Sequence, residues 1–182
     1  AVSALAAKIE EIVFKLADAD PQKIAQSQSW LDNLLGRGIE RQVRYQVARK
    51  ALDDLLSEAE DVAQRVRDTL HALEVMLADH EREASQLRIY IQAGREFLAE
   101  NPAVGLAQDG AMEFDRPRER FARKLANLAT LQASHEMSVM QMRLTRAQAV
   151  DMLDRFSETA TVLLPVWRQH TLALLTSRSM SS

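Results

Sequence analysis

The sequence predicts an all-α protein: a long antiparallel helical hairpin, coiled-coil-like, with shorter N-terminal helices packing alongside as an elongated bundle. Three observations carry this. The 182 residues include only five Gly, four Pro and 5% aromatics, a composition that suits long helices and not sheets. From Ile39 to Leu98 there is no Pro and Gly94 is the one glycine, a length that signals a coiled coil or a long bundle helix. Within it, steps of four and three from Leu52 trace Leu52, Leu56, Ala59, Ala63, Val66, Leu70, Leu73, Leu77, His80, Ala84, Leu87, Ile91, Gly94 and Leu98, and twelve of these fourteen are apolar.

Each element has its own signal. Residues 1–36 read as short N-terminal helices. Val2, Leu5, Ile9, Ile12, Val13 and Leu16 share one helical face, and the run stops at Asp18-Ala19-Asp20-Pro21. Asp20 is the expected N-cap of a second helix with Pro21 at its first position, where no N–H is needed. Ile24, Trp30, Leu31, Leu34 and Leu35 give that helix its apolar face, and Gly36-Arg37-Gly38 ends it. Residues 37–100 form the long helix and 101–116 the connection, broken at Asn101-Pro102, Gly105, Asp109 and Gly110. The second long helix, 117–176, should bury Phe121, Leu125, Leu128, His135, Val139, Met142, Ala149, Leu153, Phe156, Ala160 and Leu163, with a kink near Pro165. We expect one domain, cut from a longer protein.

Charge supports the hairpin. Residues 53–83 hold ten acids against three arginines, whereas residues 116–155 hold eight bases against four acids, so the two rails attract. Folding about the connection pairs positions whose numbers sum to about 215, within a helical turn. That register sets His80 opposite His135 as one polar layer. A seam this long can also pair between chains, and a swapped dimer would satisfy both rails equally, so a homo-oligomer stays open.

The same composition excludes several function classes. There is no cysteine, hence no disulfide, thiolate ligand or thiol redox chemistry. The net charge of −3 gives no general attraction to nucleic acid or anionic membrane. No uncharged apolar stretch is long enough for a transmembrane segment. No phosphate-binding glycine loop, activated nucleophile or paired-carboxylate cleft is legible. We therefore expect no enzyme, no cofactor and no nucleic-acid partner.

Four groups remain as candidates. His80 and His135 are too few to close a metal site, and even with Glu83 and Glu136 nearby in sequence, a register-setting or hydrogen-bonded role is the expectation, with no metal. Met137, Met140 and Met142 are soft ligands, but a helix scatters them, and adaptable core filling is the expected use. Arg116, Arg118, Arg120 and Arg123 are candidate anion-binding residues. Cations at a helix start oppose the macrodipole, so neutralisation by Glu119, Glu113, Asp115 and the acidic helix opposite is expected. A second basic stretch, Arg37, Arg41, Arg44, Arg49 and Lys50, has only Tyr45 among it and makes a poor nucleic-acid platform. Pro165 and Trp167 are candidate partner contacts. The expected role of Trp167 is a hydrophobic staple; the alternative is an exposed patch with Leu172 and Leu175 that a partner covers.

Three stretches, LRIYIQAGREFL (87–98), FARKLANL (121–128) and LLPVWRQHTLALL (163–175), resemble the TelA-type toxic anion resistance proteins, which are associated with tellurite resistance. Tyr90, Ile91, Ala93 and Gly94 match the family's first motif. Phe121, Leu125 and Leu128 match the second, with Lys124 at its basic position and Asn127 in place of its acid. Pro165 and Trp167 match the third, with Arg168 where lysine is frequent. The resemblance covers the chain from about residue 40 onward. It implies a cytoplasmic role in resistance to tellurite and related stress and supplies no catalytic residues. The expected function is thus a non-enzymatic helical protein acting through contacts with other resistance-system or envelope-associated proteins. The alternatives are direct oxyanion sequestration by the four arginines and a coiled-coil adaptor unrelated to resistance.

Overall fold

A computed structural model of the chain describes residues 1–25, 37–106 and 116–180. The fold is all-α. It comprises α1 (Val2–Asp18), α2 (Pro21–Ala25), α3 (Arg37–Glu100), α4 (Pro117–Glu158), a π-helical turn (Thr159–Leu163) and α5 (Leu164–Met180). Trp30, Leu31, Leu34, Leu35 and Gly36, and the loop positions Asp109, Gly110, Glu113 and Asp115, lie outside the described residues. No described helix is long and apolar enough to cross a membrane. The chain divides into two compact units, Ala1–Leu70 with Ala147–Ser182, and His71–Arg146.

In the first unit, α1 turns Leu5 and Ile12 fully inward, while Val13, expected on the same face, is 46% exposed. Ala59 and Ala63 of α3 are fully buried in the same cluster as Leu52, Val66, Phe156 and Leu164, small side chains that let helix backbones come close. Asp20 caps α2 as its sequence requires, its carboxylate accepting the Gln22 N–H at 2.8 Å. Lys8 donates to Glu58 at 2.7 Å. That bond is the main cause of the raised pKa of Lys8, so the contact holds at neutral pH, and on the alkaline side it is lost as pH rises through the lysine's raised value.

The π-turn explains how a helix passes through Pro165. Proline has no N–H to donate and its ring crowds the carbonyl four residues back. Here the Leu164 N–H reaches the Thr159 carbonyl, five residues away, which widens the turn ahead of the ring. Thr159 and Thr161 add hydroxyl bonds to the Arg155 and Ser157 carbonyls at 2.9 and 2.7 Å. One extra residue per turn rotates everything that follows. Leu163, expected in the core, is therefore 40% exposed, and Leu164 is buried at 1%. Thr171 and Leu175 likewise take the inward places that an uninterrupted helix would give to His170 and Leu174.

In the second unit, α3 and α4 run antiparallel, since Glu74 pairs with Arg146, Glu81 with Arg143 and Arg88 with Glu136. All three pairs are exposed and individually worth little. The first two are the acidic and basic rails meeting side by side, and the third has the opposite sense, its base on α3 and its acid on α4. All fourteen seam positions of α3, across both units, are buried or partly buried. At Gly94 the helices come so near that an added Cβ would lie 2.6 Å from Leu125 Cδ2 and 3.1 Å from Phe121 Cζ.

Candidate functional site

The polar layer lies within the second unit. His80 Nδ1 and His135 Nδ1 face each other at 3.2 Å, with ring centroids 5.4 Å apart. Both sit on the inward stripes of their helices, so each is part-buried. One turn along α3 from His80, Glu83 brings Oε2 to 3.8 Å from His135 Nδ1. Glu136, the other acid expected nearby, is engaged elsewhere: it accepts from Arg88 at 2.9 Å and from Gln132 at 3.3 Å. A cleft of about 570 Å³ opens beside the layer, lined by Glu83, Gln86, Leu87, Tyr90, Lys124, Leu128 and His135.

Two of the four arginines are engaged within the chain. Arg116 pairs with Glu119 at 3.3 Å. Arg118 reaches back into the connection and donates to the carbonyls of Leu98, Asn101 and Val104. The Leu98 carbonyl belongs to the last turn of α3, whose final carbonyls have no partner within the helix, and the other two belong to the turn that follows, so this guanidinium closes the end of α3. Gly105, at φ 76°, lets the chain turn so that its carbonyl accepts the Arg118 N–H. Arg120 has an interaction of its own, and Arg123 is exposed.

Trp167 is 6% exposed. Its indole stacks on Tyr45 with centroids 5.7 Å apart, and its Nε1–H donates to the Ala19 carbonyl at 2.7 Å. Leu175 is buried with it, so of the patch Trp167, Leu172 and Leu175 only Leu172 faces solvent. Pro165 is partly buried. Arg168, one residue further, pairs with Asp53.

The methionines depart from expectation. Met142 is partly buried on the inward stripe of α4, but Met137 and Met140 are 64% and 69% exposed and do not fill the core. With Leu144, 62% exposed, they stand at spacings of three and four on the outward face of α4.

Compared with known proteins, residues 1–180 match the profile of the toxic anion resistance protein (TelA) family. The chain belongs to the TelA family. It is 73% identical over 181 residues to Protein KlaA of Escherichia coli, covering all of this chain and 70% of that protein. It is 25% identical over 187 residues to Protein KlaB of Escherichia coli, covering 92% of this chain and 49% of that one. No solved structure matches.

The TelA-like motifs can now be read as contacts. The first and second are two sides of one helix crossing: Gly94 makes room for Phe121 and Leu125, and Phe97 meets Phe121 edge-on at 6.5 Å. Tyr90, Lys124 and Leu128 from the same two motifs line the cleft beside His135. The third motif is the staple of the first unit, Trp167 on Tyr45. Sequence reasoning named Glu83 and Glu136 together beside the histidines without separating them, and missed the role of Arg118 and the outward methionine face. The last was findable: Met137 and Met140 fall between the inward positions His135, Val139 and Met142.

Proposed function

We propose that this TelA-family chain serves toxic anion resistance as a non-enzymatic helical scaffold that engages other proteins. One observation supports it most: Met137, Met140 and Leu144 form an apolar face on α4 with more than half of each residue in solvent. Methionine is a soft, adaptable side chain suited to binding surfaces that accept a partner helix. The cytoplasmic setting follows from the family resemblance and is part of the same reading.

Direct sequestration of an oxyanion by Arg116, Arg118, Arg120 and Arg123 has less support, because Arg116 and Arg118 are already neutralised or hydrogen-bonded within the chain. The test is incubation of the purified protein with tellurite, following both binding by calorimetry and loss of the anion over time. The scaffold reading expects no turnover and no binding that depends on these arginines. Sustained conversion of tellurite by the protein alone overturns it.

A further inference from the structure

We infer that His80, Glu83 and His135 bind a single divalent transition-metal cation of the zinc type, with one coordination position left open to the adjoining cleft. The inference goes beyond the scaffold reading and does not depend on it.

The distances point to a shared ion. The two Nδ1 atoms are 3.2 Å apart, and Glu83 Oε2 lies 3.8 Å from His135 Nδ1. All three ligand atoms fall within 4.8 Å of one another. Ligands of a tetrahedral zinc, each about 2.0–2.2 Å from the metal, are separated from each other by about 3.3–3.6 Å. The contact at 3.8 Å is too long for a hydrogen bond, yet it fits two ligands of one ion with only a small side-chain adjustment.

The chemistry agrees with the geometry. Two imidazoles that turn the same nitrogen toward each other can hydrogen-bond only if one holds the proton and the other does not. A cation between them takes the lone pair of both, each ring then carrying its proton on Nε2. Glu83 adds the negative charge that a dication needs, and its place three residues from His80 on the same helix is a spacing by which helical bundles build metal sites. Two histidines and one carboxylate make a borderline nitrogen and oxygen set, matched to zinc and poor for magnesium. Three protein ligands leave a fourth position, as in zinc sites that hold water or an exchangeable ligand. Here Glu83 and His135 are themselves walls of the cleft, together with Tyr90 and Lys124, so a ligand entering it would reach the metal.

The test is calorimetric titration of the full-length metal-stripped protein with zinc chloride, with magnesium chloride as the comparison. The expected result is one saturable zinc site per chain, no magnesium site, and a zinc-dependent rise in melting temperature. His80→Gln and His135→Gln should each weaken zinc binding by more than the roughly 10–100-fold that changes outside the ligand sphere cost. Glu83 is exposed, so Glu83→Gln leaves folding intact and should weaken binding as well. His71→Gln and His170→Gln, at exposed positions, should change nothing. Absence of zinc binding by the unaltered protein overturns the inference, as does binding that the His80→Gln/His135→Gln double variant retains in full.

Discussion

Trp167 and Thr171 stand one turn apart on α5 and are both buried, but burial does different things to them. The indole satisfies its N–H on the Ala19 carbonyl and stacks on Tyr45. Trp167→Ala should therefore cost about 3–5 kcal/mol in urea unfolding, and Trp167→Phe should retain a good part of that through its ring. Thr171 is fully buried and its hydroxyl has no hydrogen-bond partner among the described residues. A buried hydroxyl without a partner carries an uncompensated desolvation cost, so Thr171→Val should be neutral or stabilise by about 1 kcal/mol. A loss of more than that would mean the hydroxyl has a partner. Trp167 was legible as a staple because a large apolar side chain beside a proline has few other uses. Thr171 was not, since its inward place exists only because of the π-turn. The His80/His135 layer was legible from register alone and Glu83 and Glu136 were both named beside it, but which of the two stays with the layer was not legible, because sequence spacing does not say which acid a neighbouring salt bridge has already taken.

At the scale of elements, the helix crossing at Gly94 and the closure at Arg118 decide how α3 and α4 meet. A side chain at Gly94 would press on Leu125 and Phe121. Gly94→Ala sets a gain in helix propensity of about 1 kcal/mol against that crowding, so its net effect should be small. Gly94→Leu gains nearly as much propensity, but its larger side chain has no room against Leu125 and Phe121 and should lose about 1–3 kcal/mol by overpacking, read as a lower urea midpoint. Arg118→Ala removes charged donors from three backbone carbonyls and should cost about 1.5–3 kcal/mol. Arg123→Ala, at an exposed position, should stay within about 0.5 kcal/mol. Equal effects at 118 and 123 would contradict the closure role. The seam of α3 was readable because a strict heptad-like pattern admits one buried face. The second stripe failed at Leu163, where periodicity assumes an unbroken α-helix and the chain inserts a π-turn ahead of Pro165. The particular partners of Arg118 were not legible, because a basic run near a helix start looks alike whether it faces a ligand or the end of the preceding helix.

At the scale of the whole molecule, family membership and the all-α fold define the protein more firmly than any cluster of side chains does. The acidic and basic rails were visible as net charge in the sequence and appear as the pairs of Arg146 and Arg143 with Glu74 and Glu81. What the rails leave over is the outward face of Met137, Met140 and Leu144. It was not legible as a surface, because methionine serves cores and interfaces equally well. Substituting glutamate at these exposed positions should leave folding within about 0.5 kcal/mol while removing an apolar docking face. The deciding measurement is growth on tellurite of a strain lacking the gene, complemented with the full-length gene either unaltered or carrying Met137→Glu, Met140→Glu and Leu144→Glu. The account predicts that the deletion sensitises the cells, that the unaltered gene restores growth, and that the triple variant is folded and expressed yet fails to restore it. Full restoration by the variant would contradict the claim that this protein acts through that face.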